Sequence, residues 1–154
     1  MSSGSFICLL QEPYTYHGRV CYMPTGIQTF QHPDARACIP AAANLNLWEV
    51  ASLSTRNRMC CVLKLNAEAQ FSEIILASLY LDIEFTPDCA IRLLGEIADY
   101  ANGRQVILGV DTNAHSTLWG SPINNARGDG IEEFLFQHNL EILNIAAMPT
   151  FQTV

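Results

Sequence analysis

The sequence predicts an α/β protein whose helices pack outside its sheets. Three observations carry that reading. Short apolar runs punctuated by turn residues fill the first part of the chain. At Thr86 the apolar spacing changes to three- and four-residue intervals. Beyond that point strand-like and helix-like patterns alternate. A length of 154 residues makes one domain with a single core the natural expectation.

Phe6–Leu10 reads as a buried strand closed by Pro13, and Tyr14–Pro24 as a loop punctuated by Gly18 and Pro24. Ala35–Ile39 and Trp48–Leu53 read as short strands, separated by Pro40 and the Asn44–Asn46 patch. Arg58–Leu65 (RMCCVLKL) and Glu73–Leu81 (EIILASLYL) are stronger strands with β-branched and aromatic content. Thr86-Pro87-Asp88 opens a helix, with a capping hydroxyl and a proline at the first helical position. Ile91, Leu94, Ile97, Ala98 and Ala101 paint one face of it, and Asn102-Gly103 ends it. Val106–Val110 is a fully apolar strand, expected to be covered on both faces. A second helix is expected from about Asp129 to His138 and a last strand over Leu140–Ile145.

Composition narrows the function classes. Hydrophobic residues make up 49% and charged residues 15%, which excludes an intrinsically disordered chain. No apolar run approaches the roughly 20 residues that span a bilayer. The N-terminus lacks a basic stretch, and Phe6–Leu10 is too short for a signal peptide. The expectation is a soluble, intracellular protein with no membrane partner. Six cysteines at 8, 21, 38, 60, 61 and 89 form no C-x-x-C pair and read as reduced, buried thiols. A net charge of −7 argues against a binder that relies on a broad basic face. It leaves room for an enzyme that holds a divalent cation against phosphate, because the bound cation reverses the local field.

The most informative stretch is Val106–Ser121, VILGVDTNAHSTLWGS. Residues two apart in a strand point to the same side, so Asp111 and Asn113 would project together from the strand's carboxyl end. That end of an α/β sheet is where ligands bind. A carboxylate beside an amide suits water activation next to a phosphate. The plainer alternative is an Asx turn that closes the strand.

Five segments resemble one family in its own order: LLQEPY (Leu9–Tyr14), ASLYL (Ala77–Leu81), ILGVDTNAHSTLWGS (Ile107–Ser121), NNARGDGIEEFL (Asn124–Leu135) and LEILNIAAMPTF (Leu140–Phe151). The family is the endonuclease/exonuclease/phosphatase superfamily, and within it the apurinic-type endonuclease domain of non-LTR retrotransposons. The resemblance implies a four-layer α/β/β/α sandwich of two mixed sheets. It implies a Mg²⁺-dependent DNA endonuclease that nicks one strand for retrotransposon insertion, with Mn²⁺ as an alternative metal, DNA as partner and a nuclear location. Glu12 matches the glutamate that binds the metal. Tyr80 matches the tyrosine placed near the scissile phosphate, and Asp111 the acid that orients or deprotonates the attacking water. Asn113 matches the asparagine that holds the phosphate. His115 and Trp119-Gly120 match positions that shape the following loop, Arg127 either reaches a backbone phosphate or ties that loop down, and His115 and Arg127 are the candidate phosphate or DNA contacts. His17, His32 and His138 have no partner at metal-ligand spacing and read as structural.

The departures from the family pattern set further expectations. The family carries an asparagine-bearing strand ahead of the glutamate and continues past PTF to Ser-x-Ile-Asp and Ser-Asp-His motifs. Neither lies within these 154 residues. The sandwich is accordingly expected to be incomplete and the stretch weakly active or inactive by itself. Two other readings stand beside the nuclease: a non-catalytic remnant or interaction module, and a phosphatase or phosphodiesterase acting on small molecules or lipids.

Overall fold

The computed structural model describes residues 5–66 and 72–143. Its contacts divide the chain into two compact units, residues 1–82 with 96–112 and residues 83–95 with 113–154. The mixed α/β architecture expected from the sequence is present.

The first unit is built on two sheets. In one, β1 (Leu10–Gln11) pairs antiparallel with β5 (Ala37–Ala42), which pairs antiparallel with β4 (Ile27–Gln31). A separate hairpin joins β2 (Thr15–Tyr16) to β3 (Arg19–Val20). The larger sheet runs β6 (Leu47–Glu49), β7 (Arg58–Lys64), β8 (Glu73–Tyr80), β9 (Gln105–Asp111), with only the β8–β9 pair parallel. Ile39 and Ala41 of the small sheet meet Leu47, Met59, Cys61, Leu63 and Leu76 of the large one in a single apolar cluster. The alternate side of β7 carries Arg58, which pairs with Glu96 at 2.8 Å. Glu96 lies in the later half of helix α1 (Pro87–Ala101). With one side on the small sheet and the other on α1, β7 is buried at every residue from Arg58 to Leu63. That is why RMCCVL reads as a continuous run instead of an alternation.

The second unit holds the first half of α1, a 3-10 turn (Thr117–Trp119) and α2 (Ala126–Gln137). Among its described residues Ala90 and Leu94 of α1 and Ile131 and Phe134 of α2 are the buried apolar ones. The start and stop signals of α1 act as expected. Cys89 N–H donates to the Thr86 hydroxyl at 3.2 Å, and Asn102 and Gly103 turn left-handed at φ 47° and 82°.

Several expectations need correction. Tyr14–Pro24 is no plain loop: His17 and Gly18 both adopt positive φ (50° and 76°), the pattern of a two-residue hairpin turn. The strand β4 has no clear signal in the sequence because Pro24 and Gly26 mask its start. Pro40 does not end its strand but sits inside β5, opposite Thr29. Its carbonyl accepts from Cys8 N–H at 2.9 Å, so its missing donor falls where the neighbouring ladder shrinks to an isolated Ile7–Ala41 bridge. Phe6–Leu10 is correspondingly half open, with Phe6 and Cys8 exposed, so only Cys38, Cys60 and Cys61 are the buried thiols. All six cysteines are free. Ile107 in β9 is 43% exposed, so that strand is not covered on both faces. Helix α2 begins at Ala126 instead of Asp129, because Asn125 caps it by accepting from Gly128 N–H. Residues 140–143 belong to no strand, and the rest of Leu140–Ile145 lies outside the described residues.

Candidate active site

Within the first unit the chain brings Glu12, Tyr80 and Asp111 to one end of the paired sheets. Tyr80 and Asp111 are the last residues of β8 and β9 and register partners, so they lie side by side on one face of the sheet. The Asp111 carbonyl then accepts from Leu81 N–H at 2.9 Å, which carries the parallel pairing past the strand ends.

Glu12 reaches this place by two devices. The first lies beneath it. The buried side of β1 is locked to the large sheet through Gln11, whose amide donates to the Ser78 hydroxyl and the Gly109 carbonyl, both at 2.9 Å. Ser78 in turn donates to the Leu10 carbonyl at 3.0 Å. Gly109 lets β1 come this close: a β-carbon there would stand 2.5 Å from the Leu9 Cβ. The second device is Glu12's own backbone, left-handed at φ 49° and followed by Pro13. A proline disfavours the right-handed helical region for the residue before it, and the left-handed turn swings Glu12 out of the line of β1. Positive φ in a non-glycine residue costs about 1–2 kcal/mol, a local strain of the kind that collects at functional sites.

Arg36 ties the site together, and the sequence gives it no motif. Its guanidinium pairs with Glu12 at 2.7 Å and Asp82 at 2.5 Å, and lies over the Tyr80 ring at 3.7 Å from the centroid. One planar cation thus joins two carboxylates and the aromatic face. The hydrogen bond to Glu12 outweighs burial, and with the fields of Tyr80 and Asp82 it holds Arg36 above its ordinary range. The signal that could have found it is an arginine directly ahead of an apolar strand, a placement that favours a partner. Asp82 is likewise unmarked by any pattern, although it follows the ASLYL motif directly.

The remaining candidates lie in the second unit. Asn113 is left-handed at φ 44°. His115 is exposed, its Nδ1 3.1 Å from the Ser121 hydroxyl, and its backbone N–H donates to the Asn125 side chain at 3.2 Å. Its carbonyl accepts from Asn125 N–H at 3.0 Å. Trp119 Nε1 donates to the Ala114 carbonyl at 3.3 Å, and Ser116 bonds Glu132. Arg127 is buried, and its Nη2 donates to the Phe85 carbonyl and, at 3.0 Å, to that of Ile83. Those bonds tie the start of α2 to the segment between β8 and α1, not to the loop after β9. The turn after β9 is braced by the asparagines ahead of α2, Asn125 on His115 and Asn124 on Thr117 N–H.

For a metal, the site offers few protein ligands. Among the described residues no three His, Cys, Asp or Glu side chains form a metal-holding group. Glu12 and Asp82 nevertheless converge on a single cation, the Arg36 guanidinium. One or two carboxylates, with water and substrate phosphate for the rest, is the donor set that Mg²⁺ accepts. The residues fit a lightly held hard cation.

A model of the family described as endonuclease-reverse transcriptase matches residues 74–153. The chain belongs to that family. A 115 kDa protein in the type-1 retrotransposable element R1DM of Drosophila melanogaster is 26% identical over 151 residues, covering 92% of this chain and 14% of its own length. The endonuclease domain of TRAS1, a telomere-specific non-LTR retrotransposon, superposes with a TM-score of 0.81 at 29% identity, over 96% of this chain and 64% of that one. The chain thus spans less than two thirds of either relative. It is a non-LTR retrotransposon endonuclease-type domain. Among its described residues no helix is long and apolar enough to cross a membrane.

Proposed function

We propose that this domain is a Mg²⁺-dependent DNA endonuclease that hydrolyses a phosphodiester bond in one strand, in a nucleus where a retroelement inserts. The observation that carries the reading is the meeting of Tyr80 and Asp111 as register partners at two parallel strand ends, with Arg36 tying Glu12 to that same tyrosine. The names of the two relatives support a DNA substrate over small phosphomonoesters or lipids.

Each residue then has a task that its surroundings suit. Asp111 accepts a proton from, or orients, the attacking water. Tyr80 is held with its ring under Arg36 and presents its hydroxyl toward the scissile phosphate. Glu12, with Asp82 close by, would hold the cation. Arg36 keeps both carboxylates aimed at one point and limits their repulsion. On the resemblance Asn113 is assigned to the phosphate and His115 to the loop that follows it. When bound, Mg²⁺ polarises the phosphoryl oxygen and offsets the charge that grows on the leaving 3′-oxygen.

Substrate class is the discriminating test. Wild-type protein with Mg²⁺ is incubated in parallel with supercoiled plasmid, an inositol phosphate and sphingomyelin. Relaxed circles without release from the other two support the nuclease; the reverse pattern rejects it.

A further inference from the structure

We infer that the β2–β3 hairpin is a stacking platform for unpaired DNA bases beside the Glu12 site. The inference rests on the nuclease reading and extends it to the form of DNA that is held.

The hairpin displays aromatic surface that the fold does not use. Tyr14, Tyr16 and Tyr22 are 66%, 62% and 88% exposed. Tyr14 and Tyr22 stack on each other at 5.9 Å with ring planes 28° apart, and Tyr16 meets His17 edge-on at 4.1 Å. Tyr16 and Arg19 are cross-strand partners, so they share a face, while Thr15 and Val20 point to the more buried side. The face outward from the fold therefore carries rings and a guanidinium together.

This face is held rigidly. Val20 N–H donates to the Gln31 side chain at 2.7 Å, and the Gly18 carbonyl accepts from Asp34 N–H at 3.1 Å. A ring presented on an ordered backbone loses little further entropy on binding. The hairpin also forms one wall of an open cleft of about 710 Å³, lined by Glu12, Tyr14, Asp34, Arg36 and Arg56. The platform is thus continuous with the site at which phosphate chemistry is proposed.

Charge selects the occupant. The chain is acidic overall, but the hairpin and its cleft gather three of its eight Lys and Arg against two acids, Glu12 and Asp34. Arg19, Arg36 and Arg56 lie on the hairpin or in its cleft. Rings that offer flat faces, alternating with cations, match a strand whose bases are unstacked and whose phosphates run alongside. In a closed duplex the base faces are hidden in the stack, so the platform serves bases unpaired beside the cut, as in the opened stretches of a supercoiled plasmid.

The test is fluorescence anisotropy with a labelled dT20 strand and a labelled 20-bp duplex, in EDTA so that nothing is cut. Wild-type protein should prefer dT20. Tyr14→Ala, Tyr16→Ala and Tyr22→Ala together should weaken dT20 binding by at least about fivefold per ring engaged. The matching phenylalanine triple should retain it. Arg19→Gln should lower the salt slope by about 0.7. Because the three rings are exposed, circular dichroism and thermal melts should match wild type, separating lost binding from lost folding. A preference for duplex, or dT20 binding unchanged in the alanine triple, overturns the inference. Plasmid nicking is read separately. Nicking with unchanged dT20 binding in the triple removes the platform and leaves the nuclease. Ring-dependent binding without nicking keeps the platform and removes the nuclease.

Discussion

The side-chain amide of Gln11 donates to the backbone carbonyl of Gly109 at 2.9 Å, across from one sheet to the other. Glu12 follows the first of these residues, and Asp111 stands two after the second. The bond therefore sets the spacing between the two acids that the proposed chemistry needs.

Gly109→Ala tests that spacing. The added methyl would meet Leu9 at 2.5 Å, so β1 must move, at an overpacking cost of about 1–3 kcal/mol. Nicking should fall by more than that loss of stability explains. Gly95→Ala is the control: its β-carbon meets nothing within 4 Å in the middle of α1. It should stabilise by about 0.5–1 kcal/mol with activity intact. A thermal melt paired with a plasmid assay reads both, and equal activity in the two variants refutes the role given to Gln11 and Gly109.

Glu12→Gly should separate stability from function. It removes a left-handed strain of about 1–2 kcal/mol and loses a half-exposed ion pair worth about 0–1 kcal/mol. The melting temperature should stay level or rise by a few degrees, while nicking disappears. A clear drop in melting temperature would show that the Arg36 contact outweighs the strain.

Gly128→Ala should loosen the turn after β9. Its β-carbon would lie 1.9 Å from the His115 carbonyl, a backbone atom that cannot yield easily. Amide exchange over residues 113–121 should accelerate at least tenfold, while the β7–β8 amides keep their protection. Unchanged exchange at 113–121 would show that the turn is not braced through Gly128.

The buried thiols predict an alkaline limit. Burial, aided by neighbouring Cys8, pushes Cys38 up to about 11; burial pushes Cys60 to about 11 against the opposing fields of Arg58 and Arg104. Burial, reinforced by Cys60 and Glu49, raises Cys61 further. Unfolded thiols ionise near pH 8.5, so these groups add stability that is whole below that pH and is lost as pH rises toward 11. Melting temperature should fall between pH 9 and 11, and less steeply in Cys60→Ala. At pH 7.5 a thiol reagent should label exposed Cys8 at once and Cys38, Cys60 and Cys61 only on unfolding. A melting temperature flat across that range would contradict the protonated core.

Elements with strong local signals are legible in the amino-acid sequence. The Thr86 cap, the Asn102-Gly103 stop and the two central strands each rest on residues that act on their immediate neighbours. What cannot be read there depends on partners far along the chain. Pro40 survives inside a strand only because the ladder beside it is broken. Arg36 joins Glu12 to Asp82 across separations of 24 and 46 residues, and no spacing rule reports such a contact. His17-Gly18 is a hairpin turn whose histidine is a less common choice than asparagine at positive φ. The pairing of Tyr80 with Asp111 is approachable, since both close apolar runs, yet their register emerges only from the parallel sheet.

The decisive measurement is nicking of supercoiled plasmid by wild-type protein, Glu12→Gln and Asp111→Asn over a Mg²⁺ titration at fixed pH. Relaxed circles should form slowly with the wild type, increase with Mg²⁺, vanish in EDTA and fail to form with either variant. Nicking that persists in either variant, or proceeds equally without divalent cation, would contradict the proposed site, as would a wild type that never relaxes the plasmid at any Mg²⁺ concentration.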